Sequence, residues 1–194
     1  NNKSLPIAII GIVLLAAVGL GAWFYSTSGK KTDGGSNKTT TTKTESGIPT
    51  NAPPGASPAW TQGSPSALVT VEEFADFQCP TCAMMHPKVK ELRAAFGDRV
   101  RIVFRQFPLA GHPYGYDAAC ATEAAGAQGK FWEMQNLIFS NQSSWSNSAS
   151  INDARRLFSE YAKTLGLDVV RFENEMTDLR IKNRVDEDIK RGRA

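Results

Sequence analysis

Two cysteines two residues apart, in Cys79-Pro80-Thr81-Cys82, fall where a β-rich run stops and a helical pattern begins. That junction narrows what the chain can fold into more than any other feature. The run before it, LVTVEEFADF, is rich in β-branched and aromatic residues with partial alternation, and predicts a strand. A helix is expected from the cysteines to about Phe96, with Gly97-Asp98 ending it. Beyond it, RVRIVFRQF sets Val100, Ile102 and Phe104 against Arg99, Arg101 and Arg105, which predicts a second strand with one buried face. Residues 108–115 read as a loop. Residues 116–128 form an alanine-rich helical pattern, and 130–139 a second one after Gly129. A polar loop is expected over 141–150. Ile151, Ala154, Leu157, Phe158, Tyr161 and Leu165 fall at helical spacing before Gly166. Phe172, Met176, Leu179, Val185 and Ile189 mark a last helix, expected to be still running at Ala194. The order is β–α–β and then a block of helices, an α/β chain without an internal repeat.

A pair of cysteines at this spacing can close a small disulfide ring. At a helix N-terminus the first sulfur meets unpaired backbone N–H groups and the positive end of the helix dipole. Both favour thiolate over thiol, which speeds exchange and makes the disulfide more oxidising. Cys79, directly after the strand, is the expected nucleophile. Cys82, one turn in, is the expected resolving thiol. Pro80 suits the first helical turn because it has no N–H to lose there. Thr81 completes the dipeptide that influences the potential. With three cysteines in all, the chain has too few for a disulfide scaffold. Cys120, within the alanine-rich helix, reads as a small buried hydrophobe.

Half of a zinc site is the competing reading of the pair. It would need two more ligands, and His86, His112 and Cys120 are the candidates; no spacing matches a finger or ribbon. No metal and no cofactor other than the redox disulfide Cys79–Cys82 is expected. A cysteine hydrolase would need a partnered histidine, and the CxxC argues against it.

Residues 5–25, LPIAIIGIVLLAAVGLGAWFY, carry no charge over 21 positions. That is long enough to cross a bilayer as a helix, and Trp23 and Tyr25 suit an interface. The run exceeds the apolar core of a cleaved signal peptide, so residues 1–25 are expected to be a transmembrane anchor or uncleaved signal. Residues 26–66 are rich in Ser, Thr, Gly, Pro and Asn and are expected to form a flexible linker. The folded domain is then expected over 67–194. Five of the 22 basic residues and two of the 19 acidic ones precede residue 66, so the remainder is balanced. The basic character belongs to the N-terminal stretch, and no nucleic-acid surface is expected.

The segment VEEFADFQCPTCAMMHP resembles the active-site segment of DsbA-like thiol–disulfide oxidoreductases, within the thioredoxin superfamily. FRQFPLAGHP and AACATEAAGAQGKFWEMQNLIF resemble the second strand and the start of the helical insertion of that branch. The resemblance runs from about Leu68 to the end. It implies a thioredoxin-like fold with a helical insertion, in a single-pass protein of the bacterial cytoplasmic membrane whose catalytic domain is extracytoplasmic. It implies disulfide transfer to unfolded or reduced secreted proteins, with a membrane thiol oxidant recycling the pair; oxidation is favoured over isomerisation or reduction. Glu73, six residues before Cys79, matches an acidic residue buried beneath the active site, which would relay a proton to Cys82. Pro87 matches a proline that kinks the first helix, His86 a helix residue near the site with a tuning role, and His112-Pro113 a structural loop. The family also carries a cis-proline loop facing the CxxC and two further strands, and nothing up to Ala194 matches them. The alternatives of another class are a non-catalytic thioredoxin-like module that binds clients or partners, and a metal chaperone.

Overall fold

Val69, Thr70, Val71 and Phe74 on one side of the first helix, and Val100, Ile102, Val103 and Phe104 on the other, are residues that pack well on a pleated surface. Both runs are strands. The computed structural model describes residues 49–194. The anchor expected at residues 5–25, and the linker as far as residue 48, lie outside the described residues. Among the described residues, no helix is long and apolar enough to cross a membrane.

The elements are β1 (Trp60–Gln62), β2 (Val69–Ala75), α1 (Pro80–Phe96), β3 (Val100–Gln106), α2 (Gly115–Ala127), α3 (Phe131–Ser140), α4 (Gln142–Ser146), α5 (Ile151–Thr164), α6 (Val169–Thr177) and α7 (Leu179–Gly192). The sheet has the order β1-β3-β2. β2 runs parallel to β3, from Val69 opposite Val100 to Ala75 opposite Gln106. β1 is antiparallel to β3, with Trp60 opposite Phe104. The expected β–α–β order followed by helices is therefore present. Among the described residues no strand follows β3, and the sole cis peptide is Ser57–Pro58, ahead of β1.

Four expectations need correction. First, β3 does not have one buried face: all its residues except Arg101 are buried. It is the central strand, and helices α1 and α7 both pack against it. Second, the linker does not extend to residue 66. The Trp60 ring stacks on Phe131 at 4.4 Å, and its Nε1 donates to Glu123 at 2.9 Å. The Arg105 guanidinium donates to the carbonyls of Ala56 (2.9 Å) and Pro54 (3.0 Å), and Arg191 to that of Pro53 (2.7 Å). Long-range partners fix a segment whose own composition has little power to order it. Third, the polar stretch 141–150 contains the short helix α4, held because Trp145 is fully buried and donates from Nε1 to the Ile138 carbonyl at 2.9 Å. Fourth, the last helix is two. Asp178 stops α6 and caps α7 by accepting the Arg180 N–H at 2.7 Å, and α7 ends at Gly192.

The core centres on α2. Ala118, Ala121, Ala124 and Ala125 are wholly buried, and these small side chains let α3, α5, α6 and α7 pack closely around one helix. Gly126 has the same logic, since a β-carbon there would collide with the Trp60 ring.

Candidate active site at the start of helix α1

Strand β2 delivers the chain through Asp76, Phe77 and Gln78 to Cys79, which occupies the N-cap of α1. Its backbone is extended, its side chain makes no capping bond, and Pro80 follows in the first turn. No acidic side chain sits in that turn. The unpaired first-turn N–H groups therefore present positive charge beside the Cys79 sulfur with no carboxylate of the turn to offset it. Cys79 and Cys82 are both half-buried and free, while Pro80 and Thr81 are exposed.

The two thiols are not equivalent. Burial pushes the Cys82 thiol up to about 11. A backbone hydrogen bond from Asp76 works against that rise, while the hydrogen bond to Cys79 and the charges of Cys79 and Asp76 add to it. Burial and the neighbouring negative charges thus favour the thiol form of Cys82 over the thiolate. This is the arrangement needed for one attacking sulfur and one resolving sulfur.

Glu73 is half-buried and stands opposite Phe104 in the β2–β3 pair. Burial alone lifts its carboxyl to about 7. The carboxylate whose charge is felt at Cys82 is nevertheless Asp76. Asp76 was missed in the sequence, as were Gln78 and Gln142. Asp76 is 2% exposed; its Oδ1 accepts the Gln78 N–H at 2.7 Å, and its Oδ2 accepts the Leu109 N–H at 2.8 Å. Gln78 accepts the Tyr114 N–H at 2.7 Å and donates to the Ser146 carbonyl at 3.2 Å. Gln142, the first residue of α4, donates to the carbonyls of Phe77 (2.7 Å) and Cys79 (3.0 Å). Three polar side chains thus fasten the turn that carries Cys79 to the loop after β3 and to the helical block.

His86 is buried between α1 and α3. Its Nε2 is 3.2 Å from the Asn136 Oδ1, and its ring stacks on Phe139 at 4.9 Å. Burial lowers its basicity against the opposing hydrogen bond that the ring donates to Asn136. A cleft beside it is lined by Lys90, Arg93, Trp132 and Asn136 but by neither sulfur. Helix α1 runs through Pro87. Cys120 is buried in α2, and burial pushes its thiol up to about 12, which makes it inert to exchange. Among the described residues, no group of three His, Cys, Asp or Glu side chains is placed to hold a metal ion.

Solved structures with this architecture include a thioredoxin-like oxidoreductase from Silicibacter pomeroyi DSS-3, with TM-score 0.56 and 27% identity over 68% of this chain and 70% of that one. Another is alpha-DsbA1 from Wolbachia pipientis, with TM-score 0.59 and 25% identity over 69% of this chain and 66% of that one. BdbD from Bacillus subtilis, at 22% identity, shares the fold with TM-score 0.59 over 73% of this chain and 80% of that one. In sequence, 129 residues are 41% identical to part of a Na(+)/H(+) antiporter NhaA 1 from Salinispora arenicola, over 66% of this chain and 18% of that protein. A further 118-residue match, 38% identical, is to the antiporter NhaA 1 of Mycolicibacterium gilvum, over 59% of this chain and again 18% of that protein. The chain therefore spans less than a fifth of these curated relatives. The family model described as Thioredoxin matches residues 56–194. With the sheet, the helical block and the CxxC junction in place, the chain belongs to this thioredoxin family, on its DsbA-like branch.

Proposed function

We propose that the chain is a membrane-tethered thiol–disulfide oxidoreductase that acts on extracytoplasmic proteins through Cys79 and Cys82. The carrying observation is Cys79 at the N-cap of α1, with no acidic side chain in the first turn and Cys82 three residues further on in the same helix. A substrate thiolate attacks Cys79 in the Cys79–Cys82 disulfide and forms a mixed disulfide, and Cys82 leaves with the electron pair. Cys82, whose thiol is raised to about 11, takes up a proton. Glu73, raised to about 7, is the proposed source of that proton, directly or through water. The substrate's second thiolate then attacks its own sulfur in the mixed disulfide and expels Cys79. The substrate loses two electrons and the protein gains them. A membrane thiol oxidant takes those electrons and restores the disulfide.

The oxidising direction is favoured because the helix N-terminus stabilises negative charge in the dithiol form. The tether rests on the uncharged run of residues 5–25. Antiport is not part of this reading, since the antiporter relatives match over 18% of their length. The test is oxidation of a reduced two-thiol peptide by the oxidised full chain. One peptide disulfide per chain is expected, and none with Cys79→Ser. Equal activity in the two would end this reading.

A further inference from the structure

Asp76 touches the surroundings of both sulfurs. Its carbonyl accepts the Cys79 N–H at 3.2 Å, its backbone hydrogen bond reaches Cys82, and its charge is felt there. The buried carboxylate collects three N–H donors. Two are main-chain, from Gln78 and Leu109. The third is the His112 Nδ1, at 2.5 Å from Oδ2, and it is the one donor that a side-chain substitution can remove. The start of α2 is shaped to this carboxylate: a β-carbon on Gly115 would lie 2.6 Å from Oδ1.

A buried carboxylate close to a sulfur opposes thiolate formation. A donor held at short range draws that charge away from the sulfur. We propose that His112 and Asp76 form a positioning pair: His112 holds and offsets the Asp76 carboxylate, and Asp76 in turn orients the Cys79 turn and sets how much negative charge the dithiol tolerates. This rests on the oxidoreductase reading above. It gives His112 a function that its place in a structural loop would not.

The two residues carry opposite signs, and that separates positioning from simple structural support. Without His112 the carboxylate keeps only its two main-chain donors, more of its charge is felt at Cys82, the dithiol is destabilised, and the disulfide is favoured. Without the Asp76 charge the dithiol is favoured. The experiment equilibrates the full chain with glutathione buffers and reads the reduced fraction of the pair by alkylation. His112→Ala is expected to shift the equilibrium toward disulfide, and Asp76→Asn toward dithiol, each by about threefold or more. His112→Asn places an amide donor near the lost Nδ1 and is expected to recover most of the wild-type value. Shifts of the same sign in both single variants, or wild-type values in both, would overturn the proposal. Should Asp76→Asn fail to fold, the contrast between His112→Ala and His112→Asn decides alone. If the wild-type pair never equilibrates with glutathione, the oxidoreductase reading falls and this pair with it. If the wild type equilibrates and the His112 variants match it, only the pair falls.

Discussion

Glu72 and Glu73 are neighbours on β2 with the same side chain, and their environments are opposite. Alternation along the strand sends Glu72 to the face where Arg105 and Arg191 meet it, both at 2.6 Å. Burial alone would raise the Glu72 carboxyl, but hydrogen bonds from Arg191 and Arg105 and their charges hold it below the usual carboxylate range. Glu73, on the other face, has burial without a cation and rises to about 7. One face of the strand thus carries a compensated cluster, completed by Asp188 at 2.9 Å from Arg105. The other face leads toward groups whose protonation is left adjustable, Glu73 and Cys82. In the proposed function, the compensated cluster serves the structure and the uncompensated groups serve the exchange chemistry.

The contrast breaks most severely at Arg105. Arg105→Ala leaves Glu72 and Asp188 buried with less compensation, and it should cost about 3–5 kcal/mol. A lowered urea midpoint would show this, with exchange by the folded fraction unchanged. If instead exchange failed while stability held, the two faces would not be separable.

The pH dependence sharpens the same contrast. A carboxyl raised from 4.5 to about 7 binds its proton more tightly in the folded state. Its stabilising effect is full below the unfolded value and is lost as pH rises toward 7, a swing of about 3 kcal/mol. Glu73→Gln should remove that decline, so urea midpoints between pH 5 and pH 8 flatten relative to wild type. Glu72 has the opposite sign. Its contribution is present above its unfolded value and is lost as pH falls through the lowered folded one. Glu72→Gln should therefore weaken the protein most at neutral pH and least in acid.

A smaller effect is expected at Gln142. Gln142→Ala removes the donor shared by the Phe77 and Cys79 carbonyls. Stability should fall by about 1 kcal/mol, and exchange at Cys79 should slow several-fold in a stopped-flow thiol assay. An unchanged exchange rate would mean that the turn keeps its geometry without α4.

Much of this is legible in the sequence alone. Local patterns announced β2, α1, β3 and the helical block, and the CxxC spacing placed its sulfurs at a helix start. What stayed hidden depends on distant partners. Trp60 sits in a proline- and serine-rich stretch, and β1 exists because Phe131, Glu123 and β3 receive it. Asp178 is an ordinary helix cap with no proline or glycine to announce the break between α6 and α7. The polar clasp of Asp76, Gln78 and Gln142 is a set of contacts across 36 to 68 residues for Gln78 and 63 to 65 for Gln142, which no local period can reveal. Arg105 read as the polar side of a half-exposed strand, until Glu72 and Asp188 supplied it with a buried role.

The central claim is the division of labour between two sulfurs one helical turn apart. It is tested most directly by exposing the Cys82→Ser chain to a one-cysteine peptide carried as its mixed disulfide with thionitrobenzoate, and mapping the covalent adduct by mass spectrometry. A peptide joined to Cys79 should accumulate and persist, because the thiol that would release it is gone. No adduct should form in Cys79→Ser. Adducts forming equally fast on Cys82 in the Cys79→Ser chain would contradict the account.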